Sequence, residues 1–472
     1  MKYLLAGISI LIFSCTELPT FERNNNNDPK SEFFQPDTSN SFSENQNTTE
    51  TSIISSSGNV EAFERIIALK WPESEGDNFS YKVSRVDMYD QEEVLGIFKK
   101  GVNSLNDTIS QTGRYRYEIK TIREDYEFNH SFGEVSFSHI VQGPEMHTDK
   151  HWWGVDVTQL DENRVLVTDP TIYVNNTSEI YDFRTNSWKF VQNPPNNDIP
   201  RTHIISETRA VRLDKTGYSF FDLEDLTWSN STNWELNKFF YSTYFDSENI
   251  LLTVLEGSES YLFNSVNGTL SRVSDIPEMN QNYELIKVKE DISLVIGGRL
   301  EEGKSYNIEK FDLNTKSWTR LKDLIVGFQN PRAHVLSNTE VLIFDRNFTG
   351  DNQSKVLKYN FDSGNQEVVG ILKSGQPFLT RVPNDPIYSF PSKNSEEVLF
   401  FIYPTIDEAV IAYQIYNQKL NKLSRVINLM REDSFGNLSI NNYLTLLTGW
   451  GILPNGDILL ISERGKTAIF RF

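Results

Sequence analysis

DISLVIGGRLEEGKSYNIEKFDLNTKSWTRL, Asp291 to Leu321, is the stretch on which the fold of this chain turns. The apolar run Leu294-Val295-Ile296 ends on Gly297-Gly298, a pair that enters positive-φ conformations without steric cost. A polar turn follows, and then an alternating segment with Ile308, Phe311 and Leu313 apolar. Asp312 stands six residues before Trp318, with the turn chemistry Asn-Thr-Lys-Ser between them. The pattern predicts strand, turn, strand, turn, strand.

Laid against the remaining chain, this stretch finds copies of itself. The Asp-to-Trp step recurs in YDFRTNSW (Asp182, Trp188) and FDLEDLTW (Asp222, Trp228). Weaker copies keep the spacing as Asn264 and Leu270, Asn360 and Gln366, and Gln414 and Leu420. Successive copies lie roughly 40 to 54 residues apart, the period of propeller blades. Apolar strands precede them, Val165-Leu166-Val167 and Val341-Leu342-Ile343-Phe344 among others. The repeat resembles the kelch motif, with its Gly pair after a buried strand and its later Asp and Trp. That resemblance implies a β-propeller over residues 143–472. In it, the tryptophans pack between neighbouring blades and the aspartates accept backbone hydrogen bonds in the following turn.

A four-stranded blade buries its faces by stacking radially on its neighbours. The C-terminal TAIFRF aligns with SEIYDF, which ends at Phe183, so the last blade lacks its outer strand. A strand from Phe137 to Trp153 is expected to supply it, which makes seven blades.

The N-terminus carries Lys2, the apolar LLAGISILIF and Ser14 directly before Cys15. That is a charged region, a short apolar region and a small residue at the cut, too short to span a bilayer. Ile12-Phe13-Ser14-Cys15 resembles a bacterial lipobox. It implies lipidation of Cys15, anchoring in the membrane through the N-terminal lipid, and a cell-envelope address at the outer membrane; a plain secretory signal is the alternative. Acyl chains contribute about 0.8 kcal/mol per buried CH₂, so two or more hold stably. Cys15 is the single cysteine of 472 residues, which leaves no internal disulfide. Residues 16–57, with Asn24 to Asn27 in a row, are too poor in large apolar residues to offset ordering entropy. A disordered tether is expected there.

From 58 to 142 the period changes to two. Ile67, Leu69 and Trp71 share one face, Phe79, Tyr81 and Val83 repeat the alternation, and Tyr115, Tyr117 and Ile119 follow Gly113. Short strands between turn clusters imply a small antiparallel sandwich. The stretch is similar to a fibronectin type III domain, with Tyr115 at the place of that family's corner tyrosine. The fold class read from the whole chain is therefore all-β.

The candidate chemistry is sparse. Kelch-like repeats carry a Pro-Arg-x-His signature in the loop entering a blade, and it occurs twice, as Pro200-Arg201-Thr202-His203 and Pro331-Arg332-Ala333-His334. Two equivalent arginines suit a carboxylate, since guanidinium offers a planar fork; pinning of the loop between blades is the other reading. Trp152-Trp153 are either platforms for a sugar ring at the channel mouth or core of the first blade. His147, Asp149 and His151 fall in a connector and complete no metal site, so neither a metal nor a cofactor is expected.

No catalytic constellation is visible. Galactose-oxidase-like chemistry needs a Tyr-Cys crosslink, and the single cysteine is assigned to lipid. A formal net charge of −20 opposes nucleic acid. The reading is a lipid-anchored binding or scaffold protein for a protein or glycan partner; a sugar epimerase or mutarotase at the channel mouth is the alternative.

Overall fold

The computed structural model describes residues 50–56, 65–71, 78–109, 113–123, 126–137, 139–148, 155–168, 178–195, 201–255, 257–277, 283–297, 305–345, 353–373, 388–391, 396–402, 412–428, 447–462 and 465–471. Cys15, the greater part of the expected tether, Asp149, His151 and the pair Trp152-Trp153 lie outside them. Among the described residues every regular element is a strand.

The first strands are β1 (Glu50–Ser56), β2 (Arg65–Lys70), β3 (Ser80–Val86), β4 (Glu92–Lys99), β5 (Ser104–Ile109), β6 (Gly113–Arg123) and β7 (Tyr126–Phe137). They form two antiparallel sheets, ordered β1-β2-β5 and β4-β3-β6-β7. Alternation puts Ile67, Leu69, Tyr81, Val83, Tyr117 and Ile119 into one buried core, and Trp71 joins it directly after β2. The tether was expected to run to residue 57, yet β1 begins at Glu50 and pairs along β2, with Ile53 opposite Ile67. Polar Thr and Ser serve in an edge strand because the ladder is made by backbone groups.

Beyond the sandwich come β8 (His139–Gln142) and a series of meanders. The first sheet is β9 (Asp156–Gln159), β10 (Arg164–Thr168), β11 (Ser178–Asp182) and β12 (Ser187–Val191). The second is β13 (Arg201–Ser206), β14 (Arg209–Leu213), β15 (Gly217–Asp222) and β16 (Thr227–Trp228), with β17 (Thr232–Asn233) also on β15. The third is β18 (Phe240–Tyr244), β19 (Asn249–Val254), β20 (Ser260–Asn264) and β21 (Thr269–Arg272). The fourth is β22 (Tyr283–Lys287), β23 (Ile292–Gly297), β24 (Ile308–Asp312) and β25 (Ser317–Arg320).

The fifth is β26 (Pro331–Val335), β27 (Glu340–Asp345), β28 (Gln353–Asn360) and β29 (Gln366–Lys373). The sixth is β30 (Tyr388–Pro391), β31 (Glu397–Ile402), β32 (Ala412–Asn417) and β33 (Lys422–Leu423), with β34 (Ile427–Asn428) also on β32. The seventh is β35 (Leu447–Ile452), β36 (Ile458–Ser462) and β37 (Thr467–Arg471), completed by β8. The strand expected from upstream is thus β8, with Val141 opposite Ile469.

One hairpin repeats between third and fourth strands. Asp182 Oδ1 accepts the backbone N–H groups of Arg184 and Thr185, Asp222 those of Glu224 and Asp225, and Asp312 those of Asn314 and Thr315. Asn264 does the same for Val266 and Asn267, and Asn360 for Ser363. Two residues before the aromatic position the backbone turns left-handed, at Asn186 (φ 49°), Leu226 (φ 57°), Gly268 (φ 69°), Lys316 (φ 52°) and Gly364 (φ 72°). Glycine and asparagine suit that conformation, whereas Leu226 and Lys316 occupy it at a cost.

The sixth copy corrects the sequence register. Its turn residue is Asn417, which accepts Leu420 N–H, with Asn421 at φ 48°. The aromatic position is therefore Leu423, which packs in the core, and not Leu420, which is exposed. Asn-Gln-Lys-Leu supplies the turn chemistry, but without Asp or Trp to mark it the spacing slips by three residues.

Successive sheets bury their faces against each other. Leu166 and Ile180 meet Phe221 and Trp228, Val211 and Leu213 meet Ile250 and Leu252, and Leu251 and Leu262 meet Val295 and Trp318. Leu294 and Ile296 meet Val341 and Ile343, and Leu342 meets Phe400. Tyr413 of the sixth sheet lies edge-on to Phe470 of the seventh at 5.5 Å, and Leu459 and Ile461 of the seventh return to Val165 and Trp188 of the first. The described sheets form no hydrogen-bonded barrel; packing in cyclic order gives the molecule its β-propeller character. Trp188, Trp228 and Trp318 stand at these junctions, as the repeat implies.

The seam is fastened by the chain after β8. Gly143 N–H donates to Thr467 O at 2.9 Å and Met146 N–H to Gly465 O at 2.8 Å. Glu179 of β11, fully buried, accepts His147 N–H at 3.0 Å and Thr148 N–H at 2.9 Å, and stands 2.9 Å from His147 Nδ1. The sandwich is held separately to the sixth sheet. The Tyr89 hydroxyl donates to Glu397 at 2.9 Å, Arg425 N–H to Met88 O at 3.1 Å, and Arg114 to Val426 O at 2.8 Å.

Candidate functional site

The first strands of successive sheets lie against one another, β35 beside β9, then β13, β18, β22 and β26. They form the inner rim of the ring, where propellers keep a central channel. The second Pro-Arg-x-His signature, and the first from Arg201 onward, lie in these strands and not in loops: Arg201 opens β13 opposite Leu213, and Arg332 and His334 pair with Phe344 and Leu342. Side chains at such positions bridge from sheet to sheet because the strands converge.

His203 Nε2 stands 2.8 Å from Ser242 Oγ of β18. Its ring lies nearly parallel to that of Tyr244, 18° between planes and 6.4 Å between centroids. Lys287 of β22 reaches back to Phe245 O at 2.5 Å, its ammonium 5.6 Å from the centre of the Tyr244 ring. Arg332 of β26 pairs with Glu284 of β22 through a charge-assisted bond, the two side chains 18% and 22% exposed. Arg332, offered by the sequence either as a reader of a ligand carboxylate or as a pin between blades, thus has a carboxylate of the chain itself beside it. Desolvation pushes the His334 imidazole down to about 4, so the ring is neutral at pH 7.

The remaining sequence candidates fare differently. The Arg201 side chain, Trp152, Trp153 and Cys15 lie outside what is described. Among the described residues no group of three or more His, Cys, Asp or Glu is placed to hold a metal ion. His147, considered as a ligand, instead joins Glu179 in the seam.

Sequence reasoning missed Ser242, Tyr244, Glu284 and Lys287. The signal was positional: FYSTY and YELIK precede apolar second strands just as Arg201–Ser206 and Pro331–Val335 do. A buried charge group also went unread. Arg212 of β14 is fully buried and held down to about 10 by burial, against the opposing pull of Asp156 and Asp214.

No family model matches the chain, and no curated protein sequence matches it. Among solved structures, an oligogalacturonate lyase in complex with manganese superposes with TM-score 0.46 at 8% identity, over 72% of this chain and 98% of that one. The WD40 repeats of RRP9 give TM-score 0.46 at 9% identity, over 70% and 97%. The extracellular domain of a hybrid two-component system from B. thetaiotaomicron gives 0.46 at 14%, over 70% of this chain and 39% of that one. Likenesses this remote transfer neither activity nor ligand.

Proposed function

We propose that this chain is a lipid-anchored protein of the bacterial cell envelope, at the outer membrane, that binds or scaffolds a protein or glycan partner through a seven-bladed, kelch-like propeller. The observation that carries the binding reading is the rim: first strands of four consecutive sheets contribute half-buried polar and aromatic side chains to one zone. Ligand sites commonly combine such features, a concave aromatic lining with a few placed polar groups. The cyclic packing of seven sheets among the described residues, with β8 closing the last, supports the blade count. The strand orders β1-β2-β5 and β4-β3-β6-β7 support the fibronectin type III reading of the sandwich. The anchor rests on Cys15 after its short apolar run.

The test is capture of partners from detergent-solubilised envelope on the wild type and on a rim variant, Tyr244→Ala with His203→Ala. A partner retained by the wild type and lost from the variant is expected. Identical capture by both, or no partner at all, would overturn the rim as the binding site. Labelling with a fatty-acid probe tests the anchor, and undiminished label on Cys15→Ser would overturn it.

A further inference from the structure

The geometry points to a neutral, hydroxyl-rich saccharide, and not an acidic one, as the ligand of the inner rim; this rests on the binding reading above. The seven first strands carry Asp156, Arg201, Glu284, Lys287 and Arg332 as their charged residues. Arg332 is matched by Glu284 of the neighbouring sheet, and Lys287 is turned onto the Phe245 carbonyl. Asp156 lies in the field of the buried Arg212. Two carboxylates stand against three cations on these strands, an excess of one charge, and of the cations Arg332 is already paired. Around it the whole chain carries a formal charge of −20, which repels an approaching anion.

β18 reads Phe-Tyr-Ser-Thr-Tyr, and its Tyr244 ring runs nearly parallel to His203 of the preceding sheet. Rigid aromatic faces accept the apolar face of a sugar ring, and Tyr adds a hydroxyl at its edge. The Ser242 hydroxyl and the His203 imidazole are placed together by their contact at 2.8 Å. The Glu284–Arg332 pair adds an acceptor and a donor side by side, the combination that vicinal sugar hydroxyls satisfy. A hydroxyl can both give and take a hydrogen bond, so it engages such a paired rim without stripping away a counter-charge.

The experiment is a binding screen on the full chain with neutral oligosaccharides, matched uronate- and sialate-containing ones, and the solubilised envelope proteins, each at low and high salt. Hits are followed by calorimetry on Tyr244→Ala, Tyr244→Phe, Glu284→Gln and Arg201→Ala, with unfolding transitions taken in parallel. Expected are neutral hits insensitive to salt, weakened tenfold or more by Tyr244→Ala and less by Tyr244→Phe, with Arg201→Ala near wild type. Preference for acidic sugars, lost in Arg201→Ala or at high salt, would overturn the inference and leave the binding reading standing. Protein capture without any saccharide hit would do the same. Absence of every ligand would overturn both. Because Tyr244→Phe preserves the ring, its retained binding with an unchanged unfolding transition separates lost contact from lost fold.

Discussion

Replacing Glu179 by glutamine is expected to open the seam between the seventh and first sheets. The carboxylate is fully buried and accepts two backbone N–H groups, at 3.0 and 2.9 Å, beside the His147 ring at 2.9 Å. Hydrogen bonds to a charged group contribute about 1.5–3 kcal/mol each, and a buried donor left unsatisfied costs about 1–3 kcal/mol. Glutamine keeps the shape, but its NH₂ faces one of the two donors, so one bond is lost and one donor stranded. The carboxylate's own desolvation offsets part of this, leaving a loss of about 2–3 kcal/mol.

The loss falls first on the segment 143–148, where Gly143 and Met146 donate across the seam to Thr467 and Gly465. In native-state hydrogen exchange these amides should lose protection roughly 30- to 150-fold, while amides of β23 and β27 change little. Unchanged protection at 143–148 would refute the reasoning, and so would an equal loss in every sheet.

Lys316→Gly should raise stability by about 0.5–1 kcal/mol, because an exposed residue leaves a left-handed turn at φ 52°; a lowered denaturation midpoint would contradict it. Lowering the pH should destabilise the fold through His334: its folded value of about 4 lies below the ordinary 6.5, so its contribution is complete above 6.5 and is lost between 6.5 and 4, about 3 kcal/mol in all. Urea midpoints of the wild type and His334→Gln over that range measure it, and parallel pH profiles would count against it. The Tyr89 phenol is raised above its ordinary range by burial and then by Glu397. A double-mutant cycle of Tyr89→Phe with Glu397→Gln should give a coupling of about 1 kcal/mol or more, and a coupling near zero would remove this contact from the junction of sandwich and propeller.

The sequence alone determined the architecture through two local signals. Period-two alternation from Ile67 to Ile119 settles strands and their buried faces, because side-chain direction along a strand depends only on neighbours in sequence. The step from Asp182 to Trp188, and its copies at Asp222 and Asp312, is equally local, because an Asx turn and its left-handed residue are completed within a few residues. The pairing of an upstream strand with the last sheet was expected too, and β8 pairs with β37.

Where the signal weakened, at Asn417, the register slipped, since neither a second aromatic nor an aspartate marked it. Tertiary structure alone decided the partners. Arg332 and Glu284 are 48 residues apart, His203 and Ser242 are 39 apart, and Tyr89 and Glu397 are 308 apart. No local pattern links such pairs; they meet because radial stacking brings the first strands together and folds the sandwich onto the sixth sheet. An arginine that in sequence resembled an open carboxylate reader is therefore, in the ring, already matched to its carboxylate.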